Sequence, residues 1–321
     1  RPPISTLFPY TTLFRSQKPN SGGYTSNSIT RKTNTLLNIL FTVYCVLCVA
    51  PLILIFTVSI TDSAALVEQG YTFFPKTLSL TAYRYLFSDP SKIIRAYGMS
   101  VAVCTIGTLT SVIMVMLYAY PLSRKTFKGR NFFAFYIFFT MLFNGGLVPW
   151  YIMYTKYIGL KDNPVMLVLP GLVSAFNVLI VKTFFSLNLP DSILESAKID
   201  GASEGRIFVS IVIPLSTPVI ATIGLFSVLM YWNDWYACLL YIDSPKYYNI
   251  QFAMYQALRT VEYLTSSMAQ SAAVTRGELG KVPSETLRMA MAILGIGPIV
   301  FAYPFFQKYF IKGLTIGAVK G

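Results

Sequence analysis

The sequence predicts an all-α integral membrane protein with six transmembrane helices, and three observations carry that prediction. Of its 321 residues, 54% are hydrophobic and only 12% are charged, where a soluble domain carries about 25% charge. Six apolar runs are each long enough to cross roughly 30 Å of hydrocarbon at about 1.5 Å per residue. Charge is almost absent inside those runs, with Lys182 and Asp234 lying near their ends.

Residues 1–35 are polar, rich in Ser, Thr and Asn, and without an acid, which reads as a disordered cytoplasmic tail. The opening "RPPISTLFPYTTLFRS", residues 1–16, has no likeness to the rest and is set aside as a candidate cloning or sequencing remnant. The remainder, 36–321, reads as one transmembrane domain. Span one is expected at about Leu36–Ile60, and with no cleavable signal before it, it is expected to stay in the membrane. Span two is expected at about Ile93–Tyr120, where Gly98, Ser100, Ala102, Gly107 and Ser111 suit close helix packing. Spans three and four are expected at about Phe132–Tyr151 and Pro164–Phe185. Span five runs from about Val212 to Leu240 and span six from about Leu287 to Phe310.

An even number of spans puts both termini on one side. The short loop "PLSRKTFKGR", residues 121–130, carries Arg124, Lys125, Lys128 and Arg130 with no acid, whereas 152–162 carries only Lys156 and Lys161 as basic residues. The positive-inside rule then places both termini, and the segment 188–214, in the cytoplasm.

Composition also excludes functions. The net charge of +13 comes with no nucleic-acid motif and is concentrated beside apolar runs, as orientation signals are, so nucleic acid is not an expected partner. The absence of histidine removes His-based triads, metal sites and proton relays. Cys45, Cys48, Cys104 and Cys238 fall in or beside apolar runs and read as buried free thiols. Neither catalytic residues nor a metal site is expected. A secondary carrier or channel working without an ATPase is the alternative reading. Its marks would be inverted repeats with interrupted helices, and midplane charges; neither such a repeat nor such charges are visible in the sequence.

The most patterned polar segment is "LESAKIDGASEGRIFVSIVIP", Leu194 to Pro214. Asp191 is placed to cap a short helix on which Ile193, Leu194 and Ala197 share a face. Gly201 breaks that helix, a second short one follows, and Pro214 and Pro218 mark entry into span five. By pattern alone this is an amphipathic surface loop, with small Ala197, Gly201 and Ala202 at its elbow. Such small residues would let another backbone approach, with Glu195 and Asp200 free to pair with basic groups.

The spacing adds a resemblance. Glu195, Ser196 and Ala197, then Gly201, then Ile211, Ile213 and Pro214 resemble the EAA loop of bacterial ABC-importer permeases, with Ser196 in place of Ala and Ile213 in place of Leu. "WNDW" at Trp232–Trp235 and "PFFQKYFIKGLTIGAVKG" at Pro304–Gly321 are similar to segments of the maltose-type second permease subunit. "FNGGLVPWYIMYTKYIGLKDNP", Phe143–Pro164, looks like the complex-oligosaccharide branch. The resemblance covers about residues 36–321.

It implies the type I ABC-importer permease fold with six transmembrane helices, in the bacterial cytoplasmic (inner) membrane. It also implies a heterodimer with a homologous six-span permease, two cytoplasmic ABC ATPase subunits, an extracytoplasmic solute-binding protein and an oligosaccharide substrate. The chain has no G-x-x-x-x-G-K-[ST] loop of its own. ATP and Mg are therefore expected on the partner ATPase, and no cofactor on this chain. The resemblance assigns ATPase docking to Glu195, Ser196, Ala197, Asp200, Gly201, Ala202 and Phe208 in a coupling loop, 188–214. In the tail, 307–321, Gly317, Lys320 and Gly321 are either a frayed end or inserted at the ATPase interface. Trp232, Asn233, Asp234 and Trp235 are either interfacial anchors or, with Asn144, part of a sugar path. Asn144, Gly145 and Gly146 are expected to break or widen span three.

Overall fold

The structure is a computed structural model, and it describes residues 31–265, 285–300 and 304. The chain divides into two units, Arg1–Leu52 and Ile53–Gly321. In the first unit, the described residues belong to helix α1 (Arg31–Ser59), a continuous apolar helix with Pro51 inside it. Leu36, Phe41, Tyr44 and Leu47 are all exposed along it, as a helix made to face lipid or other apolar surface would be.

In the second unit, two short helices, α2 (Ser63–Gln69) and α3 (Thr81–Leu86), follow the end of α1. Asp62 caps α2 by accepting from the backbone N–H groups of Ala64 and Ala65. The centre is α4 (Pro90–Ser123), a helix of 34 residues. It is flanked by α7 (Ala175–Asn188) and α11 (Thr217–Asn233). Its buried face carries Ser100, Gly107, Ser111 and Ala119, which lets the neighbouring helices approach closely. Among the described residues there is no β-strand, only an isolated bridge between Thr61 and Leu78.

The straight spans expected from hydropathy are only partly present. Among the described residues, two helices are long and apolar enough to cross a membrane unbroken, Lys32–Ser59 and Pro90–Ser123, and three further candidates are bent pairs. Expected span three is α5 (Arg130–Leu142) followed by α6 (Leu147–Ile152) and a π turn, Met153–Tyr157, with a bend of 112°. The break falls where it was expected. Asn144 Oδ1 accepts from the Gly146 N–H at 2.8 Å, and Gly146 has φ +85, a conformation that glycine adopts without steric cost. Expected span four opens with 3₁₀ turns over Pro164–Gly171 and bends by 48° into α7.

Expected span five is interrupted twice. Residues Glu204–Leu215 and α11 meet at 81° around Ser216, where Pro214 and Pro218 each remove a backbone donor. Beyond Asn233, α11 stops, and a separate helix α12 (Tyr236–Tyr241) begins. An apolar run shows that a segment is buried in lipid or protein, but not that its helix is continuous. Helix α13 (Ile250–Thr265) and a final described helix, α14 (285–300), complete the unit. Expected span six, 287–310, and the tail residues Gly317, Lys320 and Gly321 lie wholly or partly outside the described residues.

Candidate functional site: a helical hairpin and the opposite helix ends

The patterned segment folds as a hairpin of α8 (Asp191–Ile199) and α9 (Glu204–Ile207). Gly201 makes the turn at φ +79, and the Ala202 N–H donates to the Ala197 carbonyl at 2.9 Å across it. Ser203 caps α9 through its Oγ. Asp191 does not cap α8, contrary to the sequence expectation. Pro190 occupies the cap position, and the Asp191 carboxylate instead meets Arg124 and Lys125. Two cations from the preceding basic loop outcompete a local backbone bond.

Two apolar side chains root the hairpin. Leu194 is 3% exposed and Ile207 is 1% exposed, and both enter a cluster with Val115, Ala119, Val181 and Phe185 from α4 and α7. Ala197, Ala202 and Phe208 pack at the margin of the same cluster. Polar ties add to this anchorage. Tyr120 donates to Glu204 Oε2 at 2.9 Å, and Lys198 Nζ lies 2.5 Å from Glu204 Oε1. The hairpin is thereby joined to the end of α4 and to the loop that follows it. From α9 the chain leaves through a π turn, Phe208–Val212, into the 81° bend.

The other face of the hairpin is open. Glu195, Ser196, Asp200 and Gly201 are exposed, and among the described residues Glu195 and Asp200 enter no ion pair. At the tip Ile199 is 87% exposed. Sequence reasoning missed Ile199, because it sits where the helical period ends and belongs to no periodic face. It also missed Arg124, Lys125 and Tyr120 as the hairpin's supports. The acid-free basic loop was the available signal, but it was read as an orientation mark only. A rigid protrusion, rooted by Leu194 and Ile207 and bearing unpaired polar groups and an apolar tip, can transmit displacement to α4, α7 and α11 through packed contact.

At the far end of α11 the predicted path residues separate into three environments. Trp232 is 4% exposed and donates from Nε1 to the Gly295 carbonyl at 2.9 Å, so it is a core residue in this structure. Asn144 and Asp234 line one cavity of about 380 Å³, together with Trp150 and Tyr241. Asp234 Oδ1 accepts from the Ala237 N–H at 2.9 Å, which starts α12. Asn233 and Trp235 line a different cavity of about 410 Å³.

Close by, Asp162 fastens two loops. It accepts from the Ser244 hydroxyl and from the N–H groups of Asp243 and Ser244 at 3.0 and 2.8 Å. Those bonds, the Ser244 hydroxyl foremost, hold its carboxyl below the usual range. Among the described residues no group of three or more His, Cys, Asp or Glu side chains is placed to hold a metal.

Comparison with known proteins follows the same outline. Residues 125–316 match the family described as "Binding-protein-dependent transport system inner membrane component". The polygalacturonan/rhamnogalacturonan transport system permease protein YtcP of Bacillus subtilis is 39% identical over 278 residues, covering 87% of this chain and 94% of that one. The arabinooligosaccharides transport system permease protein AraQ of Halalkalibacterium halodurans is 27% identical, over 91% of this chain and 99% of that one. A chain from the crystal structure of a bacterial ABC transporter for import of the acidic polysaccharide alginate superposes with a TM-score of 0.73. It is 28% identical and covers 90% of this chain and 99% of that chain.

Proposed function

Since the chain belongs to the family of inner membrane components of binding-protein-dependent transport systems, we propose that it is the six-span permease subunit of an ATP-driven oligosaccharide importer. It pairs with a homologous permease, is fed by an extracytoplasmic solute-binding protein, and is driven by two cytoplasmic ATPases that hold ATP and Mg. Both termini face the cytoplasm. Relatives named for polygalacturonan and for acidic alginate make an oligosaccharide containing uronic acid the proposed cargo.

One observation carries the coupling role: the α8–α9 hairpin is rooted by buried Leu194 and Ile207 while Glu195, Ile199, Asp200 and Gly201 stand clear of the fold. Ser196, Ala197 and Ala202 keep the elbow slim, and Phe208 ties it to the bundle. An ATPase surface that closes on the exposed tip would move the hairpin as a unit. Through α7 and the 81° bend, that movement would reach the transport path.

The test is uptake by the complete transporter in proteoliposomes carrying Glu195→Lys with Gly201→Pro. The expected result is loss of ATP-driven uptake, with the permease pair still assembled and the ATPases no longer retained. Unchanged uptake would remove the docking role.

A further inference from the structure

The cavity of about 410 Å³ between α11, α13 and α14 has the composition of a carbohydrate subsite with a charge requirement. Its lining includes Asn233, Trp235, Gln251, Tyr255 and Arg288, with aliphatic groups such as Ile296 completing the wall. Trp235 and Tyr255 stack with centroids 4.4 Å apart and planes at 21°, forming a rigid aromatic slab at the rim. Asn233 and Gln251 supply amide donors and acceptors of the kind that sort hydroxyls. Gln251 is positioned by a bond from Nε2 to the Gly295 carbonyl at 3.2 Å.

Arg288 gives this cavity its sign. Among the described residues it is the charged residue of the lining, and no carboxylate lines the cavity with it. Its Nη1 lies 3.2 Å from Glu285 Oε1, while Glu285 Oε2 is occupied by the Tyr71 hydroxyl at 3.1 Å. A guanidinium presents its donors as a planar fork matched to a carboxylate. A neutral sugar offers the exposed part of this side chain only hydroxyl acceptors, whereas a uronate carboxylate adds a charge-assisted bond.

We infer that this cavity is a specificity subsite in which Arg288 receives the carboxylate of a uronate residue while Trp235, Tyr255 and Asn233 hold its ring. The inference rests on the import reading above and deepens it by assigning the charge preference to one side chain.

The experiment compares initial uptake of a galacturonate trisaccharide and a neutral galactose trisaccharide by the complete transporter in proteoliposomes. Wild type, Arg288→Gln and Arg288→Lys are each assayed with the same binding protein, so that the binding protein's own selectivity cancels in the ratio between variants. Arg288→Gln is expected to raise KM for the acidic sugar about tenfold, the size of one charge-assisted contact, and to leave the neutral sugar unchanged. Arg288→Lys, which keeps the charge and loses the fork, is expected to fall between. An equal loss for both sugars, or no change in their ratio for either variant, overturns the subsite. A wild type that accumulates only the neutral sugar overturns the subsite and leaves the import reading standing. A wild type that accumulates neither removes both.

Discussion

Gly107 on α4 faces the ring of Tyr231 on α11 so closely that a Cβ at position 107 would stand 2.6 Å from ring carbon Cε2. The ring is held from the other side as well. Its hydroxyl donates to the Val168 carbonyl at 3.0 Å, and a Cβ at Gly171 would lie 3.1 Å from it. Two glycines and a carbonyl thus form the socket that sets the spacing of the two helices most intimately packed in the unit.

Gly107→Ala is therefore expected to be destabilising by about 1–3 kcal/mol, the usual cost of forcing a packed interface apart. Gly171→Ala is expected to cost less, because the nearest atom there is the end of the flexible Met230 side chain, at 2.5 Å. Thermal unfolding in detergent, followed by tryptophan fluorescence, ranks the two. Shrinking the ring with Tyr231→Leu should recover part of the Gly107→Ala loss. No recovery would place the strain elsewhere.

The hairpin's two faces should respond oppositely to truncation. Leu194→Ala and Ile207→Ala remove fully packed side chains and are expected to cost about 2–4 kcal/mol, read as lowered unfolding temperature. Ile199→Ser removes a tip that touches little of its own chain. It should leave the unfolding temperature in place and weaken retention of the ATPases in pull-down. If Ile199→Ser destabilised the isolated permease as much as Leu194→Ala, the free-tip description would be wrong.

Asp162 makes the loop clamp sensitive to acid. Its folded pKa lies below the ordinary value, so its contribution is fully present above the unfolded carboxylate pKa of about 3.9 and is lost as pH falls through the folded value. Between pH 7 and 5 the clamp should be indifferent to pH, and below about pH 4 the loops joined through Ser244 should loosen. Limited proteolysis across that range measures it. Asp162→Asn, which retains an acceptor oxygen without the titration, should flatten the profile.

The membrane class, the place of the hairpin and the break after Asn144 were all legible in the chain, because each depends on local chemistry. Apolar run length, a glycine required at φ +79 and an Asn-Gly-Gly sequence act within a few residues of themselves. The role of Asp191 was misread for the opposite reason: its partners, Arg124 and Lys125, are far away in sequence. Hydropathy likewise placed spans three, four and five but showed them straight. It registers the apolar character of a segment and not the direction of its axis, which Pro218, Gly146 and the 3₁₀ turns redirect.

The sequence by itself determined that this chain is helical, lives in a membrane and carries a glycine-jointed hairpin at a fixed distance before α11, since those properties follow from side-chain polarity and backbone freedom along the chain. Only the tertiary structure decided which tryptophan is core and which lines a cavity, and that Arg288 shares a wall with Trp235 and Tyr255. Residues far apart in sequence acquire a common environment through packing of separate helices. No local propensity encodes that juxtaposition.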